Sequence, residues 1–584
     1  MSGTALVRGT LSIPETAGAL PASSREEMDA ALTDLVAHRD EWAQLPIQDR
    51  IHLVDRVRAD TYAVVEQWVA AGVERKHLTP ETPATWEEWI GPVLLLRSLR
   101  LLGQALGDIV EHGHPQPPGK IRTLPNGQVS VRVLPTSVYD NVLFTGVTGD
   151  LWMEPGVSAD ELADTQALVY RPDAPRAGKV ALVLGAGNVS AIPPMDAISK
   201  LFVENQVVVL KMNPVNEYIG PVLEQALGAL VERGFLRFVY GGATQGGYLT
   251  NHPSVDEIHI TGSDKTHDAI VFGSGEEGLR RKEQREPLLD KRITSELGNL
   301  TPVIVVPGPW SDGDIRYHAE NIVTMLTNNA GFNCVAVRNV ITHRRWVRRH
   351  DLLDAIRDLL ITLPGRYAYY PGALDRYRAF VDAHPEAERF GEENDETVPW
   401  TFIPGLDASA EDEICFTTES FNGVFGEVPL DTPTSVPQFV DAAVRFCNER
   451  LWGSLAVTII VHPRSLRDRA TREAVDRALH DLRYGSVVVN HWAGLPYGLA
   501  TTPWGAYPGH DIDDIQSGRG SVHNFLMYDR PQKSVVRGPF RARPKPAWFV
   551  THRTSHEIFR RLVDIEMEPS PAKVAGVVRV ALRG

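Results

Sequence analysis

Cys334 lies at the end of residues 329–334, just beyond a turn of small and amide residues. A structural thiol is usually embedded in a continuous apolar pattern, whereas amides and a glycine flank this one, which favours a thiol that faces a cleft. A reactive thiol needs a lowered pKa or a nearby base. The carboxylate predicted as that base is Glu296, which we expect in a short turn within residues 293–299. A β-type run over residues 335–341 follows the cysteine.

Composition limits the classes of function. A chain of 584 residues is too long for one core, so two to four domains are expected. A net charge of -15 argues against nucleic acid or an anionic membrane as a partner. Three cysteines exclude a disulfide framework, and Cys415 and Cys447 fit structural roles. The first residues lack a signal-peptide pattern, and we find no long uncharged apolar run, so a cytoplasmic location is expected.

Two patterns organise the elements that must position these groups. Residues 24–110 predict mostly helix, with Ser24 as a cap, and residues 129–133 alternate as a strand that continues loosely through 141–145. From about residue 166, strands and helices alternate. The predicted strands are 179–184, 207–210, 237–240, 258–261 and 302–306, and the predicted helices are 197–203 and 221–232. Such alternation indicates a parallel, doubly wound α/β sheet.

A second alternation of strands and helices runs from about residue 302 to 489 and predicts a second α/β domain. Beyond about residue 520 the chain is rich in arginine and proline, and a helix is predicted over residues 556–563. Arg541, Arg543 and Lys545 lie in this tail, which we interpret as an extension along the surface. Contribution to an interface and covering of the substrate mouth are the alternatives.

Several short motifs occur in an order that resembles the aldehyde dehydrogenases over about residues 165–510. Asn188 and Lys211 are 23 residues apart, as the oxyanion asparagine and the ribose lysine are in that family. Further matching segments are Ile260-Thr261-Gly262-Ser263, Glu296-Leu297-Gly298, residues 329–334, Glu419-Ser420-Phe421, Val489-Asn490 and Pro503-Trp504-Gly505. Each motif is weak alone, and their shared order carries the resemblance.

The resemblance implies a chemical role for three residues. Cys334 would attack an aldehyde carbon and Asn188 would donate to the resulting oxyanion, together with the backbone N–H of Cys334. Glu296 would activate water to release the acid from the thioester. The resemblance also implies NAD or NADP as cofactor, bound by Lys211, Gly241, Thr261, Gly262, Ser263, Leu297, Glu419 and Phe421.

Three departures from the family pattern affect the pocket and the choice of cofactor. Ala186-Gly187 replaces the usual Pro-Trp before Asn188, and Phe332 replaces a common glutamine. Pro214 stands where an acidic residue usually binds the adenosine 2′-hydroxyl and repels a 2′-phosphate, although Glu217 lies nearby. The preference between NAD and NADP therefore stays open.

The fold class implied is aldehyde dehydrogenase-like, with two doubly wound α/β domains and a small β oligomerisation element. The expected divisions are residues 1–135 and 160–295 for cofactor binding, 296–487 for catalysis, and 136–159 with 488–584 for oligomerisation and the C-terminal extension. A homodimer or homotetramer is expected, with a small-molecule aldehyde as the other partner. No metal site is predicted, since His112 and His114 lack partners at metal-ligand spacing.

Other interpretations remain open. Asn188 also fits a turn residue, Lys211 a solvated strand end, and Glu296 a partner for Arg292. The chain also fits a coenzyme A-linked acylating enzyme or acyl-CoA reductase, or a non-catalytic assembly protein with the same fold. Residues 273–278 match a dinucleotide fingerprint, but two acidic residues in that loop would repel a pyrophosphate. An apolar or aromatic substrate is favoured mildly, with Trp152, Trp492 and Trp504 as candidates for its pocket.

Overall fold

The strands form two large sheets and several short pairs. A computed structural model describes residues 8–584. In chain order the strands are β1 Gly9–Thr10, β2 Ile121–Thr123, β3 Val129–Leu134, β4 Thr148–Met153, β5 Val180–Leu184, β6 Val207–Lys211, β7 Leu236–Val239, β8 Glu257–Thr261, β9 Arg292–Glu296, β10 Pro302–Val305, β11 Asn339–His343, β12 Glu388–Phe390, β13 Trp400–Ile403, β14 Thr418–Glu419, β15 Val424–Leu430, β16 Ala456–Ile460, β17 Ser486–Val489, β18 Pro503–Trp504, β19 Gly518–Arg519, β20 Val522–His523 and β21 Pro531–Arg537.

The helices cover both faces of these sheets. In chain order they are α1 Arg25–Gln44, α2 Ile47–Ala63, α3 Val65–Arg75, α4 Trp86–His112, α5 Val138–Leu143, α6 Ile192–Ile198, α7 Gly220–Ala226, α8 Gly228–Glu232, α9 Ala243–Asn251, α10 Asp264–Phe272, α11 Gly275–Gln284, α12 Asp312–Thr327, α13 Arg349–Thr362, α14 Ala373–Ala383, α15 Ile414–Thr417, α16 Val436–Glu449, α17 Arg469–Asp481, α18 Ser555–Met567 and α19 Pro571–Ala581. Ser24 caps α1 in a capping box with Glu27, as its position before acidic residues predicts.

A six-stranded sheet holds the first α/β alternation. Its strand order is β19-β9-β8-β5-β6-β7, and all neighbours are parallel except β19 with β9. The central strands β5 and β6 are buried along their whole length, because helices cover both faces of a parallel sheet. This arrangement confirms the predicted doubly wound fold of the first domain.

An eleven-stranded sheet holds the second alternation. Its order is β12-β13-β15-β11-β10-β16-β17-β21-β4-β3-β2, parallel from β13 to β21 and antiparallel at both ends. The pairing of β17 with β21 joins the parallel strands to the antiparallel strands within one chain. The sheet is thus continuous without a strand from a second copy.

The predicted domain divisions remain a proposal, and two placements bear on them. Residues 121–134, assigned above to the cofactor domain, form β2 and β3 and pair in the eleven-stranded sheet. Residues 136–159, expected to contribute to oligomerisation, form α5 and β4, and β4 pairs with β3 and β21 of the same chain. The expected oligomer remains a prediction.

Several local predictions are wrong. Residues 335–338 are not a strand, since β11 begins only at Asn339. Glu296 does not lie in a turn but ends β9, because β8 pairs with it up to that residue. Residues 141–145 do not continue a strand, since α5 covers Val138–Leu143 with its N-cap at Ser137. The predicted helix 221–232 is divided into α7 and α8 at Leu227.

The C-terminal extension is a helical hairpin that packs on the protein. The helices α18 and α19 bury Phe559, Val563 and Val577 among others, and the ring of Phe559 stacks on Trp86 at the start of α4 with centroids 4.8 Å apart. No helix among residues 8–584 is long and apolar enough to cross a membrane.

A buried ionic cluster attaches this hairpin to α4. Arg97 on α4 contacts Asp140 on α5 at 3.0 Å and Glu566 on α18 at 3.2 Å, and Arg100 contacts Glu566 at 2.6 Å. Burial would raise the pKa of Asp140, but the charge and hydrogen bonds of Arg97 lower that pKa to about 2. The Asp140 and Glu566 carboxylates therefore share the guanidinium of Arg97.

We expect Arg97→Ala to destabilise the protein by about 3–5 kcal/mol, because it leaves a buried Asp140 carboxylate without a cation. The measurement is thermal unfolding by circular dichroism together with protease cleavage between α18 and α19. Arg469→Ala is the matched control, since Arg469 pairs with Glu473 on the surface and such pairs contribute at most about 1 kcal/mol. Equal effects of the Arg97→Ala and Arg469→Ala variants on unfolding would contradict this assignment.

The depressed pKa of Asp140 also predicts that the contribution of Arg97 to stability is present above about pH 4 and lost as the pH falls towards 2.

Candidate active site

The predicted polar residues meet where the parallel strands end. Lys211, Thr261 and Glu296 are the last residues of β6, β8 and β9, and Asn188 lies in the loop after β5. The carboxyl ends of neighbouring parallel strands open into one crevice, which is where such sheets bind ligands. The nucleophile loop with Cys334 closes this crevice from the second domain.

A left-handed turn presents Cys334 at the end of α12. Asn329, Ala330 and Gly331 have φ values of 54°, 56° and 81°. A Cβ added at Gly331 would lie 2.5 Å from the carbonyl oxygen of Asn422, so only glycine fits there. After the turn, the carbonyl of Cys334 accepts a hydrogen bond from the Thr301 hydroxyl at 3.0 Å. The predicted presentation of this thiol to a cleft is confirmed, because Cys334 lines the large cavity described below.

A buried lysine connects the two sides of the site. Lys76 Nζ lies 2.8 Å from Glu88 Oε1 and donates to Asn329 Oδ1 at 3.0 Å and to the carbonyl of Asn188 at 3.3 Å. The Tyr369 hydroxyl donates to the same two acceptors at 2.9 and 3.0 Å. The sequence analysis assigned no role to Lys76 or Tyr369, because their contacts with Asn188 join residues that are 112 and 181 positions apart.

Asn188 is held against the nucleophile loop. Its side-chain amide donates to the carbonyl of Phe332 at 2.9 Å, while Asn329 Nδ2 donates to the backbone carbonyl of Asn188 at 3.0 Å. An amide carries two N–H groups, so one remains to donate to a substrate atom near Cys334. This geometry fits the predicted oxyanion role better than a simple turn residue.

Glu296 is buried, and the partly buried Cys334 thiol lies beside it. Burial raises the pKa of Glu296 to about 7, and the negative charge of Asp196 acts in the same direction. Burial also raises the pKa of the Cys334 thiol well above its usual range, and the adjoining Glu296 carboxylate adds to that effect through its charge and a hydrogen bond. At neutral pH the thiol therefore keeps its proton, and Glu296 is the group placed to remove it.

Two further side chains near this pair had no predicted role. Asp196 on α6 is fully buried, accepts a hydrogen bond from the Thr261 hydroxyl at 2.8 Å, and carries one oxygen without a partner. Burial raises the pKa of Tyr497 well above its usual range, with smaller effects from Asp196, Glu296 and Cys334. The sequence offers no signal for either residue beyond their proximity to proline-rich turns.

Glu419 fits the predicted ribose contact. It is fully buried, and one oxygen accepts from the backbone N–H of Asn299 at 3.3 Å while the other has no hydrogen-bond partner. Burial raises the pKa of Glu419 to about 7. A Cβ at Gly298 would lie 2.1 Å from this carboxylate, so the glycine of Glu296-Leu297-Gly298 permits the close approach.

The remaining predicted cofactor residues surround the same crevice. Gly262 N–H donates to the carbonyl of Glu296 at 3.0 Å, and Ser263 caps α10. Gly241 adopts a φ of 120° just before α9, and Phe421 adopts a φ of 43° after Glu419. Leu297 is buried and donates its N–H to the carbonyl of Ser517 at 2.8 Å, so its contribution to the crevice is its backbone position.

Lys211 has a free amine in the crevice. Burial lowers the pKa of its ammonium group to about 8, although the charges of Glu217 and Glu15 oppose that effect. Among the described residues, no hydrogen bond or ion pair joins the Lys211 amine. An unpaired cation beside the strand end and an unpaired Glu419 oxygen fit a ligand with hydroxyl groups and negative charge.

The N-terminal segment of the chain crosses this crevice. We call residues 8–23 the N-terminal strap. Its strand β1 pairs with β14, which places Thr10 beside Glu419, and the N–H of Thr10 donates to Asp264 at 2.9 Å. Farther along, the N–H of Leu20 donates to Glu217 at 2.7 Å. The predicted cofactor residues can therefore contact such a ligand only in the parts of the crevice that the strap leaves uncovered.

A large apolar cavity opens from the nucleophile on the opposite side. Its volume is about 290 Å³, and Cys334, Glu296, Asn188, Trp492 and Trp504 are among the residues that line it. Two of the three tryptophans considered for the substrate pocket thus reach it. Trp152 does not line it, since this residue lies on β4 and packs in the core beside Lys533.

The other sequence signals lie elsewhere. Cys447 is buried in the core, as predicted, and Cys415 is buried beside His384 and Glu413 with their ligand atoms within 4.8 Å of one another. His384 donates or accepts at both ring nitrogens, to Glu386 and Glu413, so hydrogen bonds already account for this group. In the fingerprint-like stretch 273–278, α11 begins at Gly275, apart from the crevice.

We expect the rate at which iodoacetamide alkylates Cys334 to rise only at pH values above those for a free cysteine. In Glu296→Gln the profile should shift to lower pH, because the neighbouring negative charge that raises the thiol pKa is gone. Mass spectrometry of the modified peptides measures the rate. Cys415 and Cys447 serve as internal controls, since both are buried and should remain unmodified. If wild type and Glu296→Gln gave the same pH profile of alkylation, the Glu296 carboxylate would not be a cause of the raised Cys334 pKa.

Sequence comparison finds partial matches to one family. Residues 177–362 match the sequence model described as the aldehyde dehydrogenase family. An aldehyde dehydrogenase of Enchytraeus buchholzi is 33% identical over 139 residues, which span 22% of this chain and 25% of the relative. An N-succinylglutamate 5-semialdehyde dehydrogenase of Sphingopyxis alaskensis is 30% identical over 175 residues, 30% of this chain and 32% of the relative. The chain thus matches about a quarter to a third of the length of these two curated relatives.

Structural comparison extends the likeness to most of the chain. An NAD-dependent aldehyde dehydrogenase from Sinorhizobium meliloti superposes with a TM-score of 0.59, 16% identity and coverage of 91% of each chain. An aldehyde dehydrogenase mutant from Pseudomonas syringae, complexed with NAD+ and octanal, gives a TM-score of 0.59 with 16% identity over 92% of this chain and 94% of its own. At this identity the likeness concerns the fold. The chain therefore shares the fold of these aldehyde dehydrogenases, and residues 177–362 match the sequence model of that family.

Proposed function

We propose that the protein oxidises an aldehyde to a carboxylic acid with NAD or NADP as the oxidant, through a thioester on Cys334. The observation that carries this proposal is the pairing of Cys334 with Glu296 at the inner end of an apolar cavity. The match of residues 177–362 to the aldehyde dehydrogenase family supports the reaction class. The sequence motifs support the roles of individual residues.

The first chemical step would use three groups of the chain. Glu296 takes the thiol proton, and the Cys334 sulfur adds to the aldehyde carbon. The carbonyl oxygen then becomes an oxyanion beside the Asn188 amide and the backbone N–H of Cys334. One such donor lowers the barrier of a comparable reaction by about 2.7–4 kcal/mol.

The oxidation and the release of the acid follow from the same arrangement. A nicotinamide cofactor, when bound, supplies the acceptor for the hydride that leaves the former aldehyde carbon. Lys211 and Glu419 are the residues that would hold its two riboses. Glu296 must first release the thiol proton to solvent; as a carboxylate it then removes a proton from water, and the resulting hydroxide releases the carboxylic acid from Cys334.

A raised carboxyl pKa suits this second role. A base with a pKa of about 7 is half deprotonated at neutral pH and still strong enough to accept a proton from water in the transition state. Its unprotonated form increases as the pH rises through 7. A coenzyme A-linked reaction would not need this group, because a thiol rather than water would take the acyl group.

The proposed reaction is tested by following reduced nicotinamide at its absorbance band with NAD and NADP separately, each with and without coenzyme A. We expect turnover without coenzyme A, and we expect kcat to increase as the pH rises through about 7 if acid release limits the rate. Glu296→Gln should produce one burst of reduced cofactor and then slow turnover, because hydride transfer precedes the step that needs the base.

Cys334→Ala is the paired variant, and it should abolish the burst as well as turnover. If reduced nicotinamide forms only when coenzyme A is present, the reaction is acyl transfer to coenzyme A and not hydrolysis. Equal steady-state rates in wild type and Glu296→Gln would remove Glu296 as the base. Absence of turnover with every aldehyde and both nucleotides would favour the non-catalytic alternative.

A further inference from the structure

The cavity at Cys334 continues far beyond the reacting atoms. It passes Trp492 and Leu495 and ends between α18, α19 and the loop over residues 542–548. The distal wall is therefore built by the C-terminal extension. A short aldehyde would occupy only the inner part of this volume of about 290 Å³.

The walls are apolar along their length. The side chains of α4, α18 and α19 that face the cavity include Ile90, Val93, Leu94, Ile558, Phe559, Leu562, Val577 and Ala581. Two of the cations at the wall are paired, since Lys76 contacts Glu88 and Arg97 contacts Asp140 and Glu566. His491 is neutral at pH 7, because burial lowers its pKa to about 4. An uncharged hydrocarbon chain matches this lining.

The distal wall is held in place by strong contacts. Glu566 of α18 contacts both Arg97 and Arg100 of α4, and the carbonyl of Met567 accepts from Arg58 at 2.6 Å. A wall anchored in this way sets a defined length and shape for the channel. It is not held as a lid that must open with each turnover.

We propose that residues 541–584 complete an acyl channel that selects long, unbranched aliphatic aldehydes. The aldehyde carbon lies at Cys334 and the hydrocarbon tail extends towards α18 and α19. This inference rests on the proposed aldehyde oxidation. Each further methylene group buried in the channel should lower KM about threefold to fourfold until the channel is full.

The test compares kcat/KM for acetaldehyde, butanal, octanal and dodecanal in the intact protein. We expect kcat/KM to rise along this series. Ala581→Trp and Ala547→Trp place a large ring in the distal channel, because both residues line it. Each variant should lower the ratio of kcat/KM for dodecanal to that for butanal at least tenfold. Because Ala581 and Ala547 lie in separate segments, the test can still be made if one of the two variants misfolds.

Ala572→Trp is the matched control, since Ala572 lies in the same helix α19 but is exposed and does not line the cavity. It should leave the ratio unchanged. The channel proposal would be overturned if kcat/KM did not increase from butanal to dodecanal. It would also be overturned if the ratio of kcat/KM for dodecanal to that for butanal were unchanged in both channel variants. Absence of turnover with all four aldehydes would instead overturn the proposed function on which the channel rests.

A separate observation concerns the N-terminal strap on the cofactor side. The strap touches three places that the predicted cofactor residues also mark. Thr10 donates its N–H to Asp264, the residue after Ser263, and pairs with Glu419 where β1 meets β14. The carboxylate of Glu15 accepts from the N–H of Ala243, two positions after Gly241, at 3.1 Å. Leu20 binds Glu217, close to Lys211.

The strap offers chemical groups like those of a dinucleotide. The Glu15 carboxylate brings negative charge to the first N–H of α9 and into the field of Lys211. The Thr10 hydroxyl donates to the Asp264 carboxylate. A Cβ at Gly18 would lie 1.8 Å from Glu217, which shows how closely the strap follows the crevice.

The strap is nevertheless weakly attached. Only Gly9 and Thr10 are buried, Leu11 and Ile13 are partly buried, and most of its other residues are exposed. A segment with few buried apolar contacts opens at a low free-energy cost. A ligand that binds the open crevice can therefore displace it.

We infer that the N-terminal strap is an autoinhibitory element that competes with the dinucleotide for the crevice. The apparent Kd for the cofactor then equals the intrinsic Kd divided by the fraction of molecules with the strap released. Removal of the strap should lower that Kd without any new contact.

The test measures binding of NAD and NADP by calorimetry in the full chain and in a chain that lacks residues 1–20. We expect the truncated chain to bind at least tenfold more tightly, and a synthetic peptide of residues 1–20 to reverse this gain. Thr10→Val, which keeps the chain length and removes one strap hydrogen bond, should shift Kd in the same direction by a smaller factor. Saturating cofactor should also expose the strap of the full chain to protease.

Equal Kd values in the full and truncated chains would overturn the autoinhibitory role. Tight binding to the full chain with the strap still protected from protease would do the same. The absence of binding by both chains would overturn the cofactor assignment itself. These readouts do not require turnover, so they separate the strap from the identity of the substrate.

Discussion

A buried ammonium group holds the two sides of the candidate site together. Lys76 contacts the carbonyl of Asn188 from the first sheet and the side chain of Asn329 from the nucleophile loop. Glu88 and Glu87 supply the negative charge that raises the Lys76 pKa although burial lowers it. Because Asn188 follows a strand of the six-stranded sheet and Asn329 follows α12, the distance between these two segments depends on such a bridge. A charge buried in this way is stable only with its partners in place.

The electrostatics of the site follow from this closed arrangement. Burial disfavours charge on Glu296, Cys334 and Glu419 together, and each carboxylate raises the pKa of its neighbours further. Glu296 and Glu419, each with a pKa of about 7, therefore exchange protons near neutral pH, whereas the Cys334 thiol keeps its proton. A thiol that stays protonated reacts slowly until a base removes its proton.

Residues 8–23 and the helices α18 and α19 border different parts of the candidate site. The N-terminal strap crosses the crevice at the ends of β6, β8 and β9, and the C-terminal helices form the far wall of the apolar cavity. Both segments lie outside the two sheets that define the fold. Substrate selection and cofactor access can thus change in this protein without any change in the reacting groups.

Local patterns in the sequence predicted most of the sheet strands, since alternation and strand ends depend on residues a few positions apart. The roles predicted for Cys334, Glu296, Asn188 and Lys211 came instead from the resemblance of the motifs and their order to a known family. Local patterns did not determine the helix over Val138–Leu143 or the late start of β11, where short signals compete. Only the tertiary structure decided the roles of Lys76 and Asp196, the raised pKa of Glu296, the strap in the crevice and the channel wall. Each of these depends on groups that are distant in sequence and meet only after folding, when burial removes water from between their charges.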